Sequence, residues 1–346
     1  MRDIYFYIPD KELYERMIRS DINWEDIAKI RGYLNKSLGR NCGNFTSWIM
    51  TTYVQLKHRD DLVCKLIDFI PKEGIVIADR DSLGNDNIYL DKTMLICAKG
   101  DREYHPSAYI HIVQNICDAE RKDNSIWKPY YINHWSQPSI YRRIIERGHL
   151  VENIAYVGNK SNLAEDLKSK QWEKELNSIG CQWHPIFDMN RWNDYSYIDV
   201  IIACRRFQGN NLFFEKPASK LINSWSAGVP AIVGSEAAFL ALKKSELDFL
   251  QATSLSEALD AVKLLKKTPE LYLSMIQNGL ERYQEFTDQK TTERWVSFFL
   301  DYVFDEYDKF LSMSEFQKKS SFVKRLIKLK LDRLGARVKK IALPQQ

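Results

Sequence analysis

The sequence predicts an α/β protein of two doubly wound, Rossmann-like domains, and three observations predict it. Between Asp199 and Glu236 an apolar run, Asp199-Val200-Ile201-Ile202-Ala203-Cys204, leads into a charged loop and a helix-like segment. The turn Ala227-Gly228-Val229-Pro230 and a second apolar run, Ala231-Ile232-Val233-Gly234, follow. Strand, loop, helix, Gly-Pro turn, strand is the order of a doubly wound sheet, in which ligands sit at the carboxyl ends of strands. Second, short apolar runs alternate with helical patterns on the N-terminal side as well, which implies a parallel sheet there too. Third, 346 residues suffice for two domains of ordinary size.

Taken in order, Asp3 to Pro9 reads as a first buried strand. Residues 10–40 are charged, with short helical patterns such as Trp24 to Ile30, and read as an insertion. Cys42-Gly43-Asn44-Phe45-Thr46 opens a helix from Ser47 to Lys57, and this start fits either a close approach to a ligand or an ordinary N-cap. Leu62 to Ile67, Gly74 to Ala78, Met94 to Cys97 and Tyr109 to Asn115 are strand-like. The second of these ends in Asp79-Arg80-Asp81, and charged residues at a strand's carboxyl end point into the cleft of such a sheet. Residues 123–150 lack a clean period and read as the crossing between domains. Asn153 to Gly158 starts the second domain as a strand ending in glycine, with a helix expected from about Asn162 to Leu176. After the Gly-Pro turn, Leu255 to Lys266, Pro269 to Phe286 and Thr291 to Leu311 have helical periods.

Composition narrows the function classes. The apolar fraction is 45% and the charged fraction 28%, as in a globular protein with a full core. Six scattered cysteines, none in a Cys-x-x-Cys pair, read as buried free thiols in a reducing compartment. The His residues have no zinc-like spacing, so no metal is expected, and no cofactor. The N-terminus is too short and polar for a signal peptide, and no stretch reaches the ~18 apolar residues of a membrane span. A cytoplasmic protein, peripheral on the inner face of the plasma membrane, is the expectation.

The functional signal lies between Arg205 and Glu236. Arg and Lys ahead of a helix start make a good place to hold phosphate. The stretch Glu215-Lys216-Pro217-Ala218-Ser219-Lys220-Leu221-Ile222-Asn223-Ser224-Trp225-Ser226-Ala227-Gly228-Val229-Pro230 resembles the nucleotide-binding half of GT-B glycosyltransferases. Retaining members of that group carry Glu, seven residues, Glu, then a small-residue helix into Ala-Gly-Val-Pro. Glu215 stands at the first Glu position and Asn223 at the second. Asp199 to Arg205 and the segment His134-Trp135-Ser136-Gln137-Pro138, with Arg142, Arg143 and Arg147-Gly148, resemble a bacterial subgroup of such sequences.

The resemblance implies metal-independent transfer of a sugar from a nucleotide-sugar donor, with retention if the motif carries the mechanism. Arg205 and Lys220 would neutralise the leaving diphosphate, with Lys216 and Ser219 beside them. Glu215 would orient the donor sugar, Asn223 would touch the ribose, and the loop Gly158-Asn159-Lys160 would abut the phosphates. Asp79, Asp81, His105 or His111 would face the acceptor. Residues 1–140 would form the acceptor domain and 141–290 the donor domain. Residues 291–314 would pack back toward the first domain, followed by the tail 315–346. Two rivals stand beside this reading: another sugar-nucleotide enzyme such as an epimerase, and a non-catalytic scaffold in polysaccharide assembly.

The tail has a character of its own. From Glu315 to Gln346 it holds ten Lys or Arg against two acids, net +8, whereas the whole chain is +4. Val323, Ile327, Leu331, Leu334, Val338 and Ile341 recur on one helical stripe. That pattern predicts a helix over 318–342 lying on an anionic membrane surface near a lipid-linked or surface-glycan acceptor. The alternative is a helix docked on the body with a solvated basic face. No recognised nucleic-acid fold accompanies the charge, so nucleic acid is not expected as a partner.

Overall fold

The computed structural model describes residues 2–19, 45–207 and 212–342, the last four of these by backbone alone. The expected segments Trp24 to Ile30 and Cys42-Gly43-Asn44 lie outside the described residues. The chain divides into two compact units, one of Met1–Ile132 with Thr292–Gln346, the other of Asn133–Thr291.

The first unit holds strands β1 (Asp3–Tyr7), β2 (Val63–Ile67), β3 (Glu73–Asp79), β4 (Lys92–Ala98), β5 (Ile110–Val113) and β6 (Pro129–Tyr131). They form one parallel sheet in the order β2-β1-β3-β4-β5-β6. The second unit holds β7 (Asn153–Val157), β8 (Gln182–Ile186), β9 (Val200–Ala203), β10 (Ala231–Val233) and β11 (Leu250–Gln251). This sheet is also parallel, in the order β11-β10-β9-β7-β8. In both units the strand order reverses beside the first strand, at β1/β3 and at β7/β9. Such a switch point opens a crevice at the carboxyl ends of the two strands.

The helices are α1 (Lys11–Arg19), α2 (Thr51–Leu56, continuing a π-turn Thr46–Met50), α3 (Ile116–Ala119), α4 (Lys170–Ser178), α5 (Ser219–Ala227), α6 (Ala237–Leu240), α7 (Leu255–Lys267), α8 (Pro269–Tyr283), α9 (Asp288–Ser297), α10 (Phe304–Ser312) and α11 (Glu315–Ala342). Two parallel, doubly wound α/β units are what the sequence predicts, and the expected strand cores all lie within observed strands.

The second unit shows why its strands read so clearly. Alternate residues of a strand face opposite sides of a sheet. Ile154 and Tyr156 join Ile202 and Ile232 beneath Trp172, Leu176, Val262, Leu265 and Tyr272. Ala155 and Val157 join Ile201, Ala203 and Val233 beneath Leu221, Trp225, Phe249 and Phe286. Both faces are covered, so the strand cores are apolar throughout. α5 ends at Gly228, whose φ of 68° places it in the left-handed region. Its N–H bonds the Trp225 carbonyl at 3.2 Å, and Val229 N–H bonds that of Ser224 at 3.0 Å. Pro230 then stops the helix, which is the physical content of the Gly-Val-Pro turn.

One expectation needs correction and two gain detail. The stretch 123–150 carries the chain from the first unit to the second, between Ile132 and Asn133, and also holds the short strand β6. The helix expected from Asn162 to Leu176 is two short 3-10 turns, Lys160–Asn162 and Glu165–Lys168, before α4, which Ser169 caps through its side chain. The tail is a continuous helix as expected, and one of its faces docks on the first unit: Arg325 is buried, and its Nε donates to the Pro106 carbonyl at 2.9 Å.

Candidate functional site

The second unit's switch point gathers residues from three strand ends and one helix start. β7 ends in Gly158, with φ of 142°, a conformation that favours glycine. Space requires glycine there as well: a Cβ would lie 2.9 Å from Lys220 Cε and 3.1 Å from the Tyr156 hydroxyl. Lys220, in the first turn of α5, therefore threads over the backbone of the β7 loop. Its Nζ lies 5.5 Å from the centre of the Tyr156 ring. β9 ends in Cys204-Arg205. The Arg205 side chain is 9% exposed, with Nε 3.8 Å from Glu236 Oε1. β10 ends in Gly234-Ser235-Glu236. The Glu236 Oε1 accepts the Arg205 backbone N–H at 3.0 Å.

The electrostatics follow from this crowding. Burial lowers the Lys220 pKa to about 7, and Arg205 and Lys216 push in the same direction, while Glu236 opposes them. Part of the residue's surface remains open to solvent, so the ammonium is crowded rather than sealed in. Burial raises the Glu236 pKa, against the pull of Arg205 and Lys220. Two polar atoms here, Arg205 Nη1 and Glu236 Oε2, are buried without a hydrogen-bond partner among the described residues. A buried guanidinium N–H without a partner is costly unless something occupies it. The helix α5 adds to the demand: its N-cap is Ala218, which has no side chain to cap the free N–H groups of the first turn. Three cations and an uncapped helix N-terminus at a switch point form a cradle for a multivalent anion.

The structure thus brings Gly158, Arg205, Lys216 and Lys220 together. Ser219 is the first residue of α5. Asn159 faces its own loop, its Oδ1 accepting from Ser161 N at 3.3 Å, and Lys160 is exposed beside it. Glu215 is half-buried in the turn closed by Lys216 N–H to the Phe213 carbonyl at 2.9 Å. Asn223 lies one turn further along α5 and is engaged inside the unit. Its Oδ1 accepts Gln137 N–H at 3.3 Å, and its side chain also bonds the buried Tyr195 hydroxyl.

Four candidates lie in the first unit. Asp79 ends β3 fully buried and accepts Asp81 N–H at 3.0 Å, Ser82 N–H at 3.2 Å and the Ser82 hydroxyl, so it closes the turn after the strand. Burial raises its pKa and these bonds lower it, with a net rise. Asp81 is exposed and pairs with Arg102 at 2.9 Å. His111, on β5, contacts the Trp127 carbonyl through Nδ1 at 2.7 Å and accepts His105 N–H through Nε2 at 3.0 Å. Burial lowers its pKa to about 3, so it is neutral and both nitrogens serve the fold. His105 is buried too, which with nearby Arg80 takes its pKa to about 4, and its Nδ1 accepts Ser107 N–H at 3.3 Å.

Sequence reasoning passed over two groups. Glu236 follows β10 as Arg205 follows β9, and a charged residue at a strand's carboxyl end was the available signal. Arg143 and Arg147 stand within the motif resemblance but clamp Asp199, at the amino end of β9, opposite the cradle.

A prediction arises from Gly158. Gly158→Ala forces an L residue into a strained conformation, for roughly 1–3 kcal/mol of stability, and displaces Lys220. A lowered melting temperature together with several-fold weaker diphosphate binding is expected by thermal melts and titration. Unchanged binding would show that the Lys220 position is not needed.

No family model matches the chain, and no curated protein sequence is similar to it. Several solved structures are similar. A sucrose-phosphate synthase from Thermosynechococcus elongatus is 11% identical, with a TM-score of 0.48 over 87% of this chain and 81% of its own. The Anabaena protein HepE in complex with UDP is 8% identical, with a TM-score of 0.47 over 86% of this chain and 99% of its own. A glycosyltransferase from Rickettsia africae is 9% identical, with a TM-score of 0.45 over 90% of this chain and 99% of its own. Two parallel, doubly wound α/β units in one chain are the architecture that the sequence's resemblance to GT-B glycosyltransferases implies.

Proposed function

We propose that the protein is a glycosyltransferase that takes a sugar from a nucleoside-diphosphate donor. The carrying observation is the convergence of Arg205, Lys216 and Lys220 on the uncapped start of α5, at the β7/β9 switch point. In the reaction the bond from the anomeric carbon to the diphosphate breaks and one to an acceptor hydroxyl forms. The hydroxyl proton leaves to a base, and the nucleoside diphosphate departs. Arg205 and Lys220 stabilise the charge that grows on the leaving diphosphate, where fixed cations act most strongly. Glu215 orients the donor sugar, and retention of configuration goes with that role. On the acceptor side Asp81 is the candidate base, being exposed at the carboxyl end of β3.

We further propose a lipid-linked or surface-glycan acceptor and an anionic membrane surface as partner, at the inner face of a bacterial membrane. The solvent-exposed apolar stripe of the basic tail and the cations on its flanks support this. None of the described helices is long and apolar enough to cross a membrane, in keeping with a helix that lies on the surface.

Thermal melts against a panel of nucleotide sugars test the donor assignment, since a ligand selective for the folded state raises the melting temperature. Hydrolysis of the stabilising donor then tests catalysis. No stabilisation by any nucleotide sugar would reject the reading. Glu215→Gln is expected to lower turnover strongly while leaving affinity for the bare nucleoside diphosphate nearly unchanged. A variant that loses nucleotide binding but turns over normally at saturation would remove Glu215 from the sugar.

A further inference from the structure

α11 presents two faces of opposite use. One face is docked on the first unit. Lys318 Nζ donates to the Asp91 carbonyl at 2.9 Å, and the Phe322 ring meets Tyr89 edge to face at 5.9 Å. Arg325 Nε donates to the Pro106 carbonyl at 2.9 Å, Leu329 is buried, and Arg333 Nε donates to Glu103 Oε2 at 2.9 Å. Burial lowers the Arg325 pKa to about 10, the mark of a cation built into an interface. Glu103 Oε1, which also receives Arg333 Nη2, accepts Arg80 Nη2 at 3.1 Å.

The other face is apolar and open. Phe316 is 81% exposed, and Val323, Ile327, Leu331, Leu334 and Val338 are each about half exposed. At 100° per residue the docked and open sets point roughly 160° apart. Lys319, Lys330 and Arg337 fall on one flank of the open stripe, and Lys324 and Lys328 on the other. A contiguous exposed apolar stripe marks an interaction surface. Cations on both flanks specify an anionic bilayer, where the stripe enters the acyl boundary and the ammonium groups meet headgroups.

The docked face decides what the bilayer would hold. From Lys318 to Arg333 the helix advances about 22 Å, close to the roughly 23 Å length of β4. Its first clasp, Asp91, immediately precedes β4, and its later ones, Glu103 and Pro106, lie in the loop 99–109 that follows it. That loop links two parallel strands without a helix of its own, and α11 packs over it. We infer that α11 is a rigid bracket between an anionic bilayer and the first unit, one that fixes the strand-end loop 99–109 beside the membrane surface. A lipid-linked acceptor would then meet the protein at a set distance from the headgroups. The inference rests on the membrane reading above and goes beyond it, because a flexible tether would bind vesicles equally well without ordering that loop.

The full chain is tested with vesicles rich in phosphatidylglycerol and with neutral phosphatidylcholine vesicles, by sedimentation and by hydrogen exchange of residues 99–109. The intact protein is expected to bind the anionic vesicles about tenfold more tightly than the neutral ones, with added protection of 99–109. Leu331→Glu/Leu334→Glu, on the open stripe, is expected to lose binding about tenfold while the unbound fold is unchanged. Leu329→Lys/Arg333→Ala undocks the helix at constant net charge. It is expected to bind vesicles as well as the parent but to lose the added protection of the loop. An intact protein that ignores anionic vesicles would overturn the membrane reading and the bracket together. Vesicle binding without protection of 99–109, or protection that survives undocking, would overturn the bracket alone. Self-association that the stripe variant abolishes, in place of lipid binding, would make a second copy the occupant and overturn both.

Discussion

Arg205→Ala is expected to weaken nucleoside-diphosphate binding by about tenfold or more, and Lys220→Met to do the same. A charge-assisted hydrogen bond lost from such a site costs roughly 1.5–3 kcal/mol, which is about one to two decades in affinity. The two variants should differ in their response to pH. In the free protein Lys220 titrates at about 7 because burial, Arg205 and Lys216 disfavour its charge. A bound diphosphate reverses that balance and restores the proton. Binding above pH 7 should therefore take up a proton, and affinity should fall as pH rises. Calorimetry at pH 8 in buffers of different ionisation enthalpy measures this uptake. It should persist in Arg205→Ala and vanish in Lys220→Met.

The same residue makes a prediction about stability, and its sign is unusual. The folded pKa, about 7, lies below the ordinary 10.5, so the fold bears the full cost of the charge below pH 7. That cost fades as pH rises toward 10.5. Lys220→Met should accordingly raise the melting temperature at neutral pH by about 2–4 °C for each kcal/mol relieved, while it impairs binding. Unchanged affinity in both variants, with no proton uptake by the parent, would dismiss the cradle as a diphosphate site.

The second large effect belongs to Asp199. This carboxylate is fully buried at the amino end of β9. It receives Arg143 Nε at 3.0 Å and Nη2 at 2.8 Å, and Arg147 Nε at 2.8 Å and Nη2 at 2.7 Å. The backbone N–H groups of Glu152 and Asn153 add bonds of 3.0 and 2.9 Å. Burial by itself would raise the Asp199 pKa, but the bonds from Arg147, the two backbone groups and the Arg143 charge outweigh it, and the net shift is downward. Removing the carboxylate strands the Arg143 guanidinium, whose side chain is 5% exposed. Breaking a buried pair in this way costs about 3–5 kcal/mol. Asp199→Ala should lower the second unit's melting temperature by roughly 6–20 °C.

Because the folded pKa is depressed, this stability is present above the unfolded pKa, ordinarily 3.8, and is lost as pH falls through the folded value. Asp199 precedes β9 and Arg205 follows it, so well below its melting temperature the variant should still bind nucleotide. An Asp199→Ala protein within about 1 kcal/mol of the parent in urea titration would refute the clamp.

The sequence by itself determined the fold class and the places of Arg205 and Lys220, one after a strand end and the other at a helix start. Strands such as Val200–Ala203 and Ile75–Ala78 lie in parallel sheets covered on both faces, so burial imposes an unbroken apolar run that can be read directly. Arg205 and Lys220 were legible because a strand, a charged loop and a helix start occur in that order along the chain. Of the edge strands, β2 was legible and β6, β8 and β11 were not. β8, Gln182-Trp183-His184-Pro185-Ile186, alternates exposed and half-buried residues and contains a proline, and β11 is two residues long. Their strand character comes from the neighbour they pair with.

Tertiary structure alone decided the partners of charged residues. Arg143 and Arg147 meet Asp199 about fifty positions away, and Glu236 meets Arg205 across two adjacent strand ends, at separations that no local pattern encodes. Asn223 was read toward a ribose from its place in the motif, and its contacts run to Gln137 and Tyr195, which only the packing of 133–140 and of the segment before β9 against α5 brings near. The tail shows both sides at once. Periodicity set the apolar stripe of α11, because a helix turns by a fixed angle per residue. Which of its basic residues would be solvated and which buried depended on where the loop 99–109 offered carbonyls and a carboxylate, and that is a property of the packed sheet, not of the helix.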